Sequence, residues 1–278
     1  MRRSPRCRTP GCPLSAEWIV RAPGVEVDLD ARGILTVTLD RPESYNALDA
    51  AMVESTAATL ERAVGRDDVR VVVLTGRGKA FSSGAALAGD SPLDGFDDDA
   101  VHRANRLVRA VVRLDKPVVA AVNGVAAGVG ASLALACDLQ VTSSEASFAF
   151  TFTRIGLMPD GGSTATIAAA VGRARALRMA LLGERLPAAD AHAAGLVSHL
   201  VPAEGFTEAV AALAATLAAG APLAYAATKK AVNAATLGEL EPALERENLG
   251  QLTLFRTADT AEGMTAFVEK RAPRFEGR

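Results

Sequence analysis

Cysteine and histidine are scarce in this chain, three of each in 278 residues. Cys7, Cys12 and Cys137 form an odd, widely spread set, which excludes a disulfide framework. Cys7 and Cys12 cannot complete a structural zinc site, which takes about four ligands. His102, His192 and His199 lie far from both. No metal is expected, and a reducing, cytoplasmic setting fits. An excess of one charge is also missing: 30 Lys and Arg face 32 Asp and Glu, for a net charge of −2. That balance argues against a nucleic-acid partner, whose surface would need a basic stripe. No uninterrupted apolar run reaches the roughly 18 residues of a membrane span. The first 17 residues hold four Arg and lack an apolar segment, so they are no secretory signal. Pro5, Pro10 and Pro13 forbid a good amphipathic helix there, and residues 1–17 read as a disordered leader.

What is present is a large apolar fraction, 49%, beside 22% charged residues, enough for a sizeable core. Residues 25–40 alternate apolar and polar around a D-x-R-G turn, a β-hairpin signal. Asp49 is placed to cap a helix over 49–64. Short β-branched runs at 69–76 and 117–122 read as buried strands, and 139–144, 147–150 and 196–201 as further strands. Residues 76–87 read as a Gly/Ser-rich loop and 89–99 as an acidic surface loop. Residues 100–114, a segment opening near Ser163, and 173–182, 187–194, 204–219, 221–236, 239–254 and 259–270 carry helical patterns. Strand and helix alternate at first and helix dominates later, with no linker between. This is an α/β class chain in one domain: a core over 18–205 and a helical C-terminal region over 206–278.

Two glycine-rich loops follow buried strands, FSSG after VVVLTG and NGVAAGVG after PVVAAV. Backbone N–H groups at such strand ends and helix N-termini can bind a ligand or hold a developing oxyanion, although both loops can equally be simple tight turns. Gly124, Gly128 and Gly130 do not fit the G-x-G-x-x-G spacing, and no Walker A pattern occurs. Cys137 reads as a small buried hydrophobe, Asp138 as the close of a turn before a strand, and His102 and Arg103 as a solvated helix face.

The segments RPESYNALD, FSSGAAL, VNGVAAGVGASLALACDL, FAFTFTRIGLMPDGGS and EGMTAFVEKRAPRF resemble, in order and spacing, the crotonase family of enoyl-CoA hydratases and isomerases. The resemblance covers about residues 18–275. It implies a spiral of ββα units, C-terminal helices packed on a neighbouring subunit, and homotrimers that pair into hexamers. It also implies an acyl-CoA substrate with no metal or redox cofactor. It assigns the thioester oxygen to the backbone N–H groups of Ser83 and Val129, the latter requiring a negative φ. It places Asn46, Ala47, Ser82, Gly84, Ala85, Ala86, Gly128, Ser132 and Phe152 around the substrate. Phe267 and Lys270 fall where the family meets the coenzyme A nucleotide across a subunit boundary.

The departures from the family pattern bear on the reaction. The positions of the two hydratase glutamates hold Ser132 and Phe152, and the Asp of the A-G-A-D loop becomes Ala86. No acidic residue lies between Glu145 and Asp160. Asp160, in MPDGGS, stands where the family's isomerases and ring-forming members resemble one another in carrying a catalytic Asp. The competing reading is that Asp160 caps the helix that begins near Ser163. The expectation is an enolate-forming acyl-CoA isomerase, with Phe150, Phe152 and Met158 desolvating the Asp160 carboxyl. The alternatives are a hydratase or hydrolase using water held at Ser132, and a non-catalytic acyl-CoA binder. The apolar positions Leu249, Leu252, Leu254 and Phe255 look surplus to one domain, which suggests assembly.

Overall fold

The computed structural model describes residues 16–86 and 99–278. Residues 1–15 and 87–98, which hold most of the expected leader and all but the last residue of the expected acidic loop at 89–99, lie outside the described residues. The hairpin forms as expected from β1 (Val25–Leu29) and β2 (Ile34–Leu39), which pair antiparallel. Its turn is tied by Asp30 Oδ1, which accepts from the N–H groups of Arg32 and Ile34. Helix α1 (Ala50–Ala63) is capped as expected: the Asp49 side chain accepts from the Met52 N–H at 2.8 Å.

Three successive ββα units follow. The first is β3 (Val71–Gly76), β4 (Ala80–Ser82) and α2 (Ala100–Arg113). The second is β5 (Val118–Val122), β6 (Val125–Ala127) and α3 (Val129–Ala136). The third is β7 (Leu139–Ser143), β8 (Ser147–Ala149), a 3-10 turn at Thr151–Ile155 and α4 (Ser163–Leu182). In each unit the first strand joins a six-stranded sheet, in order β1-β2-β3-β5-β7-β10, and the second joins a four-stranded sheet, in order β4-β6-β8-β9. Strands β4, β6 and β8 run parallel, so the segments that leave their carboxyl ends emerge side by side. That juxtaposition builds the site. The chain is completed by β9 (Arg185–Pro187), α5 (Ala188–Ala193), β10 (His199–Val201), α6 (Phe206–Ala219), α7 (Pro222–Thr236), α8 (Leu240–Leu254) and α9 (Ala258–Val268).

The structure corrects several boundaries. The glycine-rich loops contain the three-residue strands β4 and β6, too short to show a period. Strand β9 was not expected, and the 196–201 run yields only His199–Val201. The two helical patterns on either side of Gly172 hold as expected, because α4 is two helical segments joined across a kink at that residue, with φ 75 and ψ 165.

The large sheet buries both faces, which is why its strands read as unbroken apolar runs. Leu35, Val37, Val72, Leu74, Val118, Ala120 and Val122 face the main core with Phe81, Leu133 and Phe148. Ile34, Val71, Val73, Val119, Ala121 and Val141 face the other way, onto Ala214, Val210 and Leu213 of α6. Among the described residues no single helix is long and apolar enough to cross a membrane. Cys137 is buried, its thiol donates to the Leu133 carbonyl, and desolvation pushes its pKa up, so it sits in the core as an unreactive thiol.

The C-terminal helices pack on the chain's own core. Helix α7 is anchored by Lys229. Its ammonium pairs with Asp138 Oδ2 at 2.8 Å and donates to the carbonyls of Val111 and Lys116. Asp138 in turn accepts from the Val118 N–H, so it does close the turn as the sequence suggested. The Lys229 side chain is 8% exposed and that of Asp138 21%, so removing one partner strands a desolvated charge. Lys229→Met is therefore expected to lower unfolding free energy by roughly 3 kcal/mol, measured by urea unfolding. A loss under about 1 kcal/mol, the worth of an exposed pair, would show the anchor to be dispensable.

Candidate active site

The carboxyl ends of β4, β6 and β8 open onto a cavity of about 480 Å³. Ser83, Gly84 and Ala85 leave β4, Gly128 and Val129 leave β6, and Thr151 and Phe152 leave β8; all of them line it. Val101 and Ala104 of α2, Ile155 and Leu157, Phe255, and Phe267 of α9 supply apolar wall, and Arg154 a cation. Gly84 and Gly128 bring the first two segments together. Both have positive φ (103 and 52), and a Cβ on Gly84 would lie 3.0 Å from the Ala127 carbonyl oxygen.

The backbone donors are not quite the expected pair. Ser83 N–H donates to the Tyr45 carbonyl at 2.9 Å, and the Ser83 hydroxyl donates to the Ser44 carbonyl. Ser83 is therefore a structural residue on the cavity wall, and its assignment as an oxyanion donor is overturned. Two residues on, Leu48 is bracketed by the Gly84 carbonyl and the Ala86 N–H, at 2.8 and 2.9 Å. In a parallel bridge this arrangement turns the N–H of the intervening Ala85 to the opposite side, the cavity side. Val129 is the first residue of α3, where an N–H has no partner within its helix. Its φ is not positive, as its assignment required.

The remaining expected residues divide by position. Ala47, Gly84, Ala85, Gly128 and Phe152 line the cavity, as does Phe267, from this chain's own α9. Asn46 is fully buried at φ 57; its amide donates to the carbonyls of Arg77 and Ala80 and its oxygen accepts from the Arg41 N–H. Ser82 is equally buried, and its hydroxyl donates to the Asn46 carbonyl while accepting from the Gly84 N–H. Both brace the loops and neither lines the cavity. The Ala86 N–H is held by Leu48, and Lys270 is exposed past the end of α9, also outside the cavity wall. Ser132 is fully buried, with its hydroxyl donating to the Asp160 carbonyl at 2.8 Å. It does not line the cavity, so the expectation that it holds a reacting water there is overturned.

Asp160 does line the cavity. The cap reading fails, because α4 begins after Gly162 with no side-chain cap from its own segment. That helix end is instead satisfied from α8. Glu247 Oε2 accepts from the Gly162 N–H at 2.7 Å, and Oε1 accepts from the N–H and hydroxyl of Thr164. The Asp160 side chain is thus free of capping. Its Oδ2 accepts from Gln251 Nε2, also on α8, at 2.8 Å, while Oδ1 is buried without a partner among the described residues. Burial is the main force on this carboxyl, opposed by the Gln251 hydrogen bond and reinforced by the charge of Glu247. Together they raise its pKa from 3.8 to about 7. The expected desolvation is therefore present, with Phe150 fully buried and Phe152 nearly so. Burial also raises Glu247, while the Thr164 and Gly162 donors pull it back.

A buried acid titrating near 7 on the wall of an apolar cavity, beside two backbone donors, suits proton transfer next to a carbonyl. The family profile described as Enoyl-CoA hydratase/isomerase matches residues 30–278. The chain belongs to that family, within the crotonase superfamily. A probable enoyl-CoA hydratase of Rhodobacter capsulatus is 45% identical over 250 residues, covering 89% of this chain and 96% of its own. The 1,2-epoxyphenylacetyl-CoA isomerase of Escherichia coli is 37% identical over 254 residues, with 89% and 96% covered. The crystal structure of an enoyl-CoA hydratase from Mycobacterium avium subsp. paratuberculosis superposes with a TM-score of 0.87 at 48% identity, covering 92% of this chain and all of that one. The crotonase-like spiral of ββα units is thereby shown, and the protein is an enzyme of this family.

Glu247 and Gln251 escaped the sequence reading. Their signal was present: Leu240, Leu244, Glu247 and Gln251 share one face of α8, and the polar residues Glu247, Asn248 and Gln251 on its buried side need polar partners.

The burial of Asp160 has a stability consequence. Its folded pKa, about 7, lies above the unfolded value near 3.8, so the folded state binds the proton more tightly. The group then costs nothing below about pH 4, an increasing amount between pH 4 and 7, and its full cost above pH 7. A rise of that size corresponds to about 4 kcal/mol as an order of magnitude. Asp160→Asn, which cannot ionise, should be more stable than the parent at pH 8, with the advantage shrinking by roughly 2 kcal/mol at pH 5. Urea unfolding at both pH values checks this; a pH-independent difference between the two proteins contradicts it.

Proposed function

We propose that this enzyme isomerises an enoyl-CoA by moving a proton on Asp160. The observation that carries the reading is the placement of Asp160, whose buried Oδ1 has no protein partner, among the residues that line the same cavity as Ala85 and Val129. The thioester oxygen lies between the N–H groups of Ala85 and Val129. The carboxylate of Asp160 removes the α-proton of a 3-enoyl thioester. The C–H electron pair passes into a dienolate whose charge rests on the thioester oxygen, and the protonated Asp160, whose proton exchanges with solvent, delivers a proton to the γ-carbon, leaving the 2-enoyl product. Each backbone donor contributes about 3 kcal/mol to the transition state. The apolar wall formed by Phe152, Leu157 and Phe255 keeps water from the dienolate. The reading needs no metal or redox cofactor, coenzyme A being part of the substrate. Ring-bearing acyl groups fall within the same chemistry, as the name of the E. coli relative suggests.

Hydration is the competing outcome, favoured by the names of the relatives. Against it stand the buried, occupied Ser132 hydroxyl and the phenyl ring of Phe152 at the two hydratase positions. A binder without catalysis is disfavoured because Asp160 lines the cavity and does not cap α4.

Asp160→Asn should lose at least ~10²-fold in isomerisation, the worth of a positioned acid/base, while still binding acyl-CoA. Ser132→Ala should cost far less. The test supplies 3-enoyl-, 2-enoyl- and ring-epoxide thioesters in deuterated water and follows carbon-bound deuterium. Full activity of the Asn variant on every substrate, or oxygen incorporation with no double-bond movement, would overturn the reading.

The assembly belongs to the same proposal. Leu181, Leu182, Leu223, Val232 and Leu249 are exposed on α4, α7 and α8, more apolar surface than a free chain favours. The expected surplus on α8 is smaller than its sequence suggested, because Leu254 and Phe255 turn inward onto the core. A homotrimer, or two trimers paired, covers the remainder. Light scattering at micromolar concentration should report a mass of at least three chains, and a stable monomer would refute the assembly.

A further inference from the structure

Gln251 is 1% exposed, and both ends of its amide are committed. Its Oε1 accepts from the Met158 backbone N–H at 3.3 Å, and its Nε2 donates to Asp160 Oδ2 at 2.8 Å. A backbone N–H can only donate, so it dictates which end of the amide faces it and leaves Nε2 for Asp160. An amide nitrogen in turn can only donate. Asp160 Oδ2 therefore offers a lone pair whether or not the carboxyl is protonated, and because the carbonyl oxygen of a protonated carboxyl is the better acceptor, this hydrogen bond favours the proton on Oδ1.

We propose that Gln251 is the positioning residue of this active site: its amide assigns the exchangeable proton of Asp160 to Oδ1, the oxygen left for the acyl group. The proposal rests on the reading of Asp160 as the proton carrier. The surroundings support it from each side. Ser132 of α3 fixes the Asp160 carbonyl at 2.8 Å, which locates the backbone of the loop but leaves the carboxyl free to rotate. Glu247, one turn before Gln251, is the charged neighbour that acts on the carboxyl, and it is held by Gly162 and Thr164, facing away from the acyl cavity. Arg154 is the cation lining the same cavity, and no ion pair ties it to Asp160. Gln251 is thus the side chain that decides the rotation of the carboxyl, and it comes from the C-terminal region, 91 residues away in sequence.

The first test needs no substrate. In the full-length protein with nitrogen-15 in its glutamine side chains, the Gln251 amide protons should be shifted downfield and protected from solvent exchange. Their shift should follow a single titration near pH 7, and Asp160→Asn should abolish that dependence. The second test is Gln251→Met, which keeps the volume and removes the donor. It should raise the Asp160 midpoint by roughly one pH unit, because the lost hydrogen bond favoured the charged form. It should lower kcat at least tenfold with KM nearly unchanged, and Gln251→Glu, which faces Asp160 with a third carboxyl, should raise the midpoint further. An amide signal in the parent that exchanges freely or ignores pH overturns the proposal, even if both variants fail to fold. So does a Gln251→Met protein with unchanged midpoint and kcat. If the amide tracks Asp160 but the parent isomerises no thioester, the positioning stands and the isomerase reading falls. If Asp160 carries isomerisation but the amide does not respond, only the positioning falls.

Discussion

The hydrogen bond from Gln251 to Asp160 joins the C-terminal region to the core at the group whose chemistry is proposed. Asp160 sits in a loop whose backbone is clamped by Ser132 and whose carboxyl is buried, with Oδ1 lacking a protein partner. An unpartnered buried oxygen is costly, and folded proteins retain such groups mainly where function needs them. The ββα core supplies the cavity and the backbone donors, but the orientation of the acid comes from α8. The helical C-terminal region is thus part of the site in its own chain, and Phe255 and Phe267 extend it over the cavity.

The same helix relieves Asp160 of the task its sequence context suggests. A helix opening immediately after M-P-D-G-G-S should use the Asp as its cap, and a capping carboxylate would be stabilised in its charged form. Here Glu247 takes the N-terminal donors of α4 from outside, and Gly162, with φ 74, allows the approach: a Cβ there would meet Leu240 at 2.5 Å. Two carboxylates close in space therefore have opposite surroundings. Glu247 is given three donors, while Asp160 is given one donor and an apolar cavity. Burial raises both carboxyls, but the Glu247 oxygens are taken up by the α4 donors while Asp160 keeps one oxygen without a protein partner.

Much of this was legible in the sequence. The hairpin at 25–40, the Asp49 cap, the strands at 69–76 and 117–122 and most helices follow from periodicity and capping chemistry, and the ordered motifs identify the family. The errors have local physical causes. Ser83 and Ala85 are two residues apart in a loop with no period, so only the bridge to Leu48 reveals which N–H faces the cavity. Ser132 stands at a hydratase position, but the Asp160 carbonyl occupies its hydroxyl, a contact between segments 28 residues apart. Long-range pairings of this kind leave no local trace. The polar residues on the buried side of α8 did leave one, since burying Glu247 and Gln251 requires partners.

The central claim is that a carboxyl with a pKa near 7 moves a carbon-bound proton in its ionised form. The most direct measurement is the pH dependence of kcat/KM for a 3-enoyl thioester between pH 5 and 9, with the product followed by its conjugated double bond. Because the reacting form is the carboxylate, the rate should fall about tenfold per pH unit below an inflection near 7 and level off above it. A flat profile across that range, or an inflection near the ordinary carboxyl value of 4, would contradict the account.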